Sequence, residues 1–155
     1  MKRRLMPRVG LVVVGMIVLV GCATTAPIGT GDPIADRQRL MKNVGGNWAD
    51  AQAKAKAGNI EGIAINAEAL ALHSMRIASV FPEGSLNPEK SAAKPEIWQK
   101  WPEFQAAAKN LQAHAEKLRD TARTKNADAT QAVVKDFGRL ACGTCHTPFR
   151  VPPKQ

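Results

Sequence analysis

The chain has 155 residues, which gives room for one domain with a core of ordinary size. Lysine and arginine outnumber aspartate and glutamate 22 to 13, a formal net charge of +9. No basic, aromatic-bearing motif accompanies that excess, which excludes nucleic acid as a partner. The chain opens with "MKRRLMPR", four basic residues and no acid, and Val9 to Val20 then forms an uncharged, mostly apolar run. That run is well short of the roughly 20 residues that cross a bilayer, so residues 1–21 read as an export signal rather than a permanent anchor helix.

The run ends in "LVGC", Leu19 to Cys22, which resembles the bacterial lipobox. The resemblance implies a lipoprotein signal peptide, with cleavage before Cys22 and acylation of its sulfur. At about 0.8 kcal/mol per buried CH₂, two or three acyl chains anchor a protein firmly to a membrane. A cysteine lying by chance near an ordinary cleavage site is the alternative. Residues 22–31, rich in Thr, Gly and Pro, read as a flexible tether, and residues 32–155 as the folded domain.

The first predicted helix runs over 33–57, with Ile34, Met41 and Trp48 seven apart, Val44 between them and Gly58 as the stop. Asn59 is placed to cap a second helix in which Ile60, Ile63, Ala67, Leu70, Ser74, Ile77 and Phe81 alternate steps of three and four until Pro82. Proline, glycine and serine then mark a loop, and "EIWQKW" predicts a short turn or helix before Pro102. A third long helix carries Phe104, Ala107, Ala108, Leu111, Ala115, Leu118 and Ala122 on one line. Asn126 is a candidate cap for a fourth, in which Ala129, Val133, Phe137, Leu140 and Ala141 lead into "CGTCH" and Pro148 closes the helix. No strand pattern is visible, so the expected fold is all-α, an antiparallel four-helix bundle.

Cys142, Cys145 and His146 carry the chemistry. A disulfide between the two thiols would close a tiny loop and add little stability, and no second ligand pair at metal spacing supports a zinc site. On a helix, positions i, i+3 and i+4 share one face, so the two thiols and the imidazole point the same way. That is the arrangement for covalent haem c, one per chain near the C-terminal end of helix four, with thioethers from Cys142 and Cys145 and iron ligation by His146. Many inner-face alanines and only seven Phe and Trp leave space for such a group.

"DRQRLMKNVGGNW", "KPEIWQKWPEF" and "CGTCHTPFR", spread over residues 33–150, resemble the class II c-type cytochromes, the cytochrome c prime group. The resemblance implies haem attachment at Cys142 and Cys145, proximal ligation by His146 and a basic neighbour in Arg150. It also implies a haem environment of Arg37 and Gln38, and a loop aromatic in Trp98. The position across from the histidine divides the group, and here it is Met41. The resemblance implies a methionine distal ligand, hence a low-spin electron carrier and not an enzyme. Periodicity alone allows Met41 to be core filler. Gly45 and Gly46 leave room for close approach to the haem, while His73, Met75 and His114 are lesser candidates for the pocket.

The expected protein is a periplasmic, lipid-anchored monohaem cytochrome that passes single electrons to redox partner proteins. Residues 111–155 hold eight basic and four acidic residues, so a basic rim around the haem would suit acidic partners. One rival is a five-coordinate or displaceable-ligand cytochrome that binds nitric oxide or carbon monoxide; another is a haem-free helical interaction protein. The group also forms homodimers through its first two helices, although no exposed apolar stripe is evident in this sequence.

Overall fold

The computed structural model describes residues 29–153. The signal segment, Cys22 and most of the tether lie outside the described residues. Asp32 starts the first helix, α1 (Pro33–Lys56): its carboxylate accepts from the Ile34 and Ala35 amides, and Pro33 fills an early position where no donor is needed. Gly58, at φ +73°, turns the chain. Asn59 then caps α2 (Ile60–Ser74) by accepting from the Gly62 amide at 3.0 Å.

A 3₁₀ turn (Ala78–Val80) and a long loop lead to the short α3 (Glu96–Gln99) and to α4 (Trp101–Arg123), with Pro102 in its first turn. Asn126 caps α5 (Ala127–Phe137) through the Ala129 amide. The chain continues as a π-helical turn (Gly138–Gly143) into α6 (Thr144–Phe149). α1, α2, α4 and the α5–α6 run form an antiparallel four-helix bundle. The most extensive packing is α2 on α4, followed by α1 on α2. Ile63, Ala67 and Leu70 of α2 meet a core shared with Leu111, Ala115 and Leu118 of α4, all buried. Among the described residues there are no strands, only an isolated bridge between Ala93 and Arg150, and no helix is long and apolar enough to cross a membrane.

Two helix ends differ from the periodicity. The second helix stops at Ser74 rather than at Phe81. The Ser74 hydroxyl donates to the Ala71 carbonyl at 2.6 Å, and Ile77 and Phe81 reach the core from the turn that follows. The fourth helix is interrupted by the π turn, and Pro148 lies inside α6 instead of closing it. The helix ends at Phe149 because Arg150 is extended (φ −125°, ψ 135°).

An apolar face, contrary to the sequence reading, is also exposed: Ile65, Leu72 and Met75 of α2 and its C-terminal cap are 73%, 56% and 65% accessible. Eight other residues of the same helix are buried, so a single line of apolar residues takes its inward face and leaves these three outside.

Candidate haem site

Between α1, α4 and α6 lies a cavity of ≈ 600 Å³. α1 contributes Arg37, Gln38, Met41, Val44, Gly45 and Trp48; α4 contributes Phe104, Ala107, Ala108 and Leu111. Cys142, Cys145, His146, Phe149 and Arg150 line the side formed by the end of the chain. Helical spacing has thus brought both thiols and the imidazole to one wall. Facing them are side chains that are almost all apolar, a setting that excludes water from a flat hydrophobic group.

The π turn gives the last helix its aim. Twelve residues separate Phe137 from Phe149, which in an uninterrupted α-helix would set them about 120° apart around the axis. A π turn takes up one extra residue and restores about 100° of that, so both side chains are buried and Cys145 shares their face. Trp48 stacks on Phe137, ring centroids 4.5 Å apart, and fixes the start of this segment.

Burial pushes the Cys142 thiol above its ordinary pKa, and burial together with neighbouring Cys142 pushes Cys145 up to about 11. Both sulfurs are therefore protonated thiols at neutral pH. Burial, helped by the Arg150 charge, pulls His146 down, so its imidazole is neutral and has a lone pair for a metal. The residue as a whole still keeps exposed surface.

Arg37 is 3% exposed. Its Nε donates to the Pro33 carbonyl at 3.1 Å and Nη2 to the Ser85 carbonyl at 2.7 Å, while the guanidinium lies 4.6 Å from the Phe81 ring centroid. Burial pulls its pKa below the usual value, against the pull of Asp32, and it stays cationic. Nη1 is buried with no hydrogen-bond partner, an unmatched cationic donor on a residue that lines the cavity. A planar apolar cofactor bearing acidic groups fits this combination: apolar walls, two thiols and a histidine on one face, and an unmatched cation.

Gln38 donates from Nε2 to the Lys90 carbonyl at 2.8 Å, tying α1 to the loop. Gly45 lines the cavity and a Cβ there would meet nothing, whereas Gly46 is not part of the wall. Trp98 stands outside the wall and braces it, donating to the Phe81 and Pro82 carbonyls. His73, Met75 and His114 do not line the cavity. Ser91, Ala92 and Ala93, which sequence reasoning missed, form a strap across one side. The Lys94 amide donates to the Phe149 carbonyl at 3.0 Å and the Val151 amide to the Ala92 carbonyl at 2.8 Å. The loop carries no periodicity that could have revealed this.

A four-helix bundle with two thiols and a histidine at its C-terminal end, facing an apolar cavity, has the build of a haem-binding helical protein. The Cytochrome C' family model matches residues 32–150, and the chain belongs to that family. It is 28% identical over 136 residues to cytochrome c-556 of Agrobacterium fabrum, covering 86% of this chain and 90% of that protein. Among solved structures, cytochrome c' from Rubrivivax gelatinosus superposes with TM-score 0.67 at 26% identity, covering 78% of this chain and 96% of that one. A nitric oxide complex of a point variant of cytochrome c prime from Alcaligenes xylosoxidans shares the fold, with TM-score 0.69 at 23% identity over 79% and 95% of the two chains. The cofactor is covalently attached haem c, one per chain, and the protein is a monohaem c-type cytochrome.

Proposed function

We propose that this cytochrome binds small uncharged diatomic ligands, nitric oxide or carbon monoxide, at a haem held by Cys142 and Cys145 and ligated by His146, with Met41 as a displaceable neighbour on the distal side. The observation that carries this reading is the cavity wall. Beyond Arg37 and Gln38 near the start of α1, the side chains that α1 and α4 place in the wall are apolar, among them Met41, Val44, Phe104, Ala107 and Leu111, and such a lining favours a neutral diatomic over water. The nitric oxide complex of the Alcaligenes xylosoxidans protein supports it on the side of the fold.

Bound haem supplies the iron that takes the diatomic or exchanges an electron. The chain's own residues do the rest. His146 offers a neutral imidazole, the packed aromatic and aliphatic wall keeps water out, and the free Nη1 of Arg37 is available to an acidic group of the cofactor. Gln38 and Arg150 belong to the same environment, and Gly45 leaves room on the α1 side.

A second reading has its own support. Met41 lines the same cavity as His146, and a thioether that held the iron firmly would leave no site for a gas, giving a His/Met electron carrier that serves redox partner proteins. In either case the protein acts in the periplasm, held to a membrane by lipid at Cys22, and a second copy of the chain could pair on the exposed face formed by Ile65, Leu72 and Met75.

Absorption spectra of the ferric and ferrous protein, with and without carbon monoxide, separate the readings when measured beside a Met41→Ala variant. A wild type that takes up carbon monoxide, and a variant that does so faster, support ligand binding. A wild type that ignores carbon monoxide while the variant binds it overturns ligand binding and leaves the electron carrier.

A further inference from the structure

The π turn before the haem motif is held from outside its own helix. Asn110 of α4 donates from Nδ2 to the Leu140 carbonyl at 2.6 Å and to Thr144 Oγ1 at 3.0 Å. Thr144 in turn donates to the Leu140 and Ala141 carbonyls at 3.3 and 3.1 Å. Cys142, the first thiol, lies inside the segment clasped this way. Asn110 is half-buried beside it, its own carbonyl is engaged with Nδ1 of His114, and it is not a lining residue of the cavity.

A π turn is an irregularity that packing must impose, since the same residues can close as an ordinary α-helix. If this one relaxed to α, everything after it would rotate by about 100° relative to Phe137. Cys145 and His146 would then leave the wall they now occupy. A side-chain amide that reaches across from α4 and grips the Leu140 carbonyl opposes that rotation, because its short bonds form only while the carbonyl is turned toward α4.

We infer that Asn110 is a positioning residue that holds the π turn in register and thereby sets the angle at which Cys145 and His146 face the haem. This rests on the assignment of Cys142, Cys145 and His146 made above. It predicts more than a stability effect: loosening the clasp alters the orientation of the proximal imidazole and the geometry in which the second thiol meets the cofactor.

The test uses exported, haem-loaded protein in four forms. Asn110→Asp keeps the side chain's shape and removes both donors; Asn110→Ala removes the side chain. Gln112→Ala, which loses a bond internal to α4, is the control. Two quantities are read: the ferric electron paramagnetic resonance spectrum, which reports the imidazole's orientation, and the ratio of singly to doubly attached haem peptides by mass spectrometry. Both Asn110 variants are expected to shift the spectrum and to accumulate singly attached haem, while the control does neither.

Should the Asn110 variants fail to accumulate, Thr144→Val breaks the same clasp from the other side with α4 intact, and a smaller shift in the same direction is expected. Wild-type spectra and full double attachment in the altered proteins, even with lowered melting temperatures, would overturn the inference, since a purely structural bond would move stability alone. A wild-type chain carrying no haem on Cys142 and Cys145 would overturn both this inference and the assignment beneath it.

Discussion

At residue scale, two adjacent glycines serve different ends. Gly45 and Gly46 lie within α1, where each costs roughly 1 kcal/mol against alanine, and a Cβ at either meets nothing. Gly46 is not in the cavity wall, so Gly46→Ala should raise stability by about 1 kcal/mol in denaturant unfolding and leave carbon monoxide uptake untouched. Gly45 lines the cavity, and Gly45→Ala should give a similar gain in stability while altering the uptake rate. The buried thiols give a prediction on pH. In chain made without haem attachment, alkylation of Cys145 should be slow at pH 7 and climb with the thiolate fraction until near pH 11. A rate that levels off near the ordinary cysteine value would show the thiol to be open to water.

At the scale of elements, much of the bundle was legible. α1 and α4 appear where Met41, Val44 and Trp48, and Phe104, Leu111 and Leu118, mark their inner lines, and Asn59 and Asn126 cap as their positions suggest. The three haem-motif residues, Arg37 and Met41 converge on one cavity. What escaped has a physical reason. Apolar steps of three and four continue past Ser74, because residues in a turn can fill a core as well as residues in a helix, and Ile77 and Phe81 do so. The π turn is invisible to a 3.6-residue reading, since it shows only as a phase slip between Phe137 and Phe149.

Core and site are separable elements as well. Leu118 is fully buried in α4 and does not line the cavity, so Leu118→Ala should cost about 2–5 kcal/mol with an unchanged haem spectrum. An altered spectrum would mean that core and cavity are coupled along α4.

At the scale of the whole molecule, carboxylates held by hydrogen bonds and ion pairs and histidines pulled down by burial both contribute to acid stability. The Thr30 backbone amide holds Asp36 below its ordinary pKa of 3.8; Lys54, with Asn66, does so for Asp50, and Arg119 for Asp120. Each is depressed in the folded state, so its contribution is present above the unfolded value and is lost as pH falls through the folded one. The melting temperature should begin to fall as pH drops below 6.5, where His73 and His146 of the unfolded chain take up protons that burial keeps off them in the folded state, and fall further below about pH 4 as the carboxylates protonate. Substituting Asn at all three positions should flatten that fall.

The bridge between Ala93 and Arg150 has a kinetic consequence. Two backbone bonds join segments more than fifty residues apart, Lys94 to the last residue of α6 and Val151 to Ala92, whereas most of the remaining cavity wall is held within α1, α4 and α6. Local opening starts where few bonds must break, so the strap is the part of the wall that breathes first. Amide hydrogens of Lys94 and Val151 should exchange with deuterium well before those of α2 and α4. Their opening frequency then sets an upper bound on how fast a molecule that enters by this side can come and go.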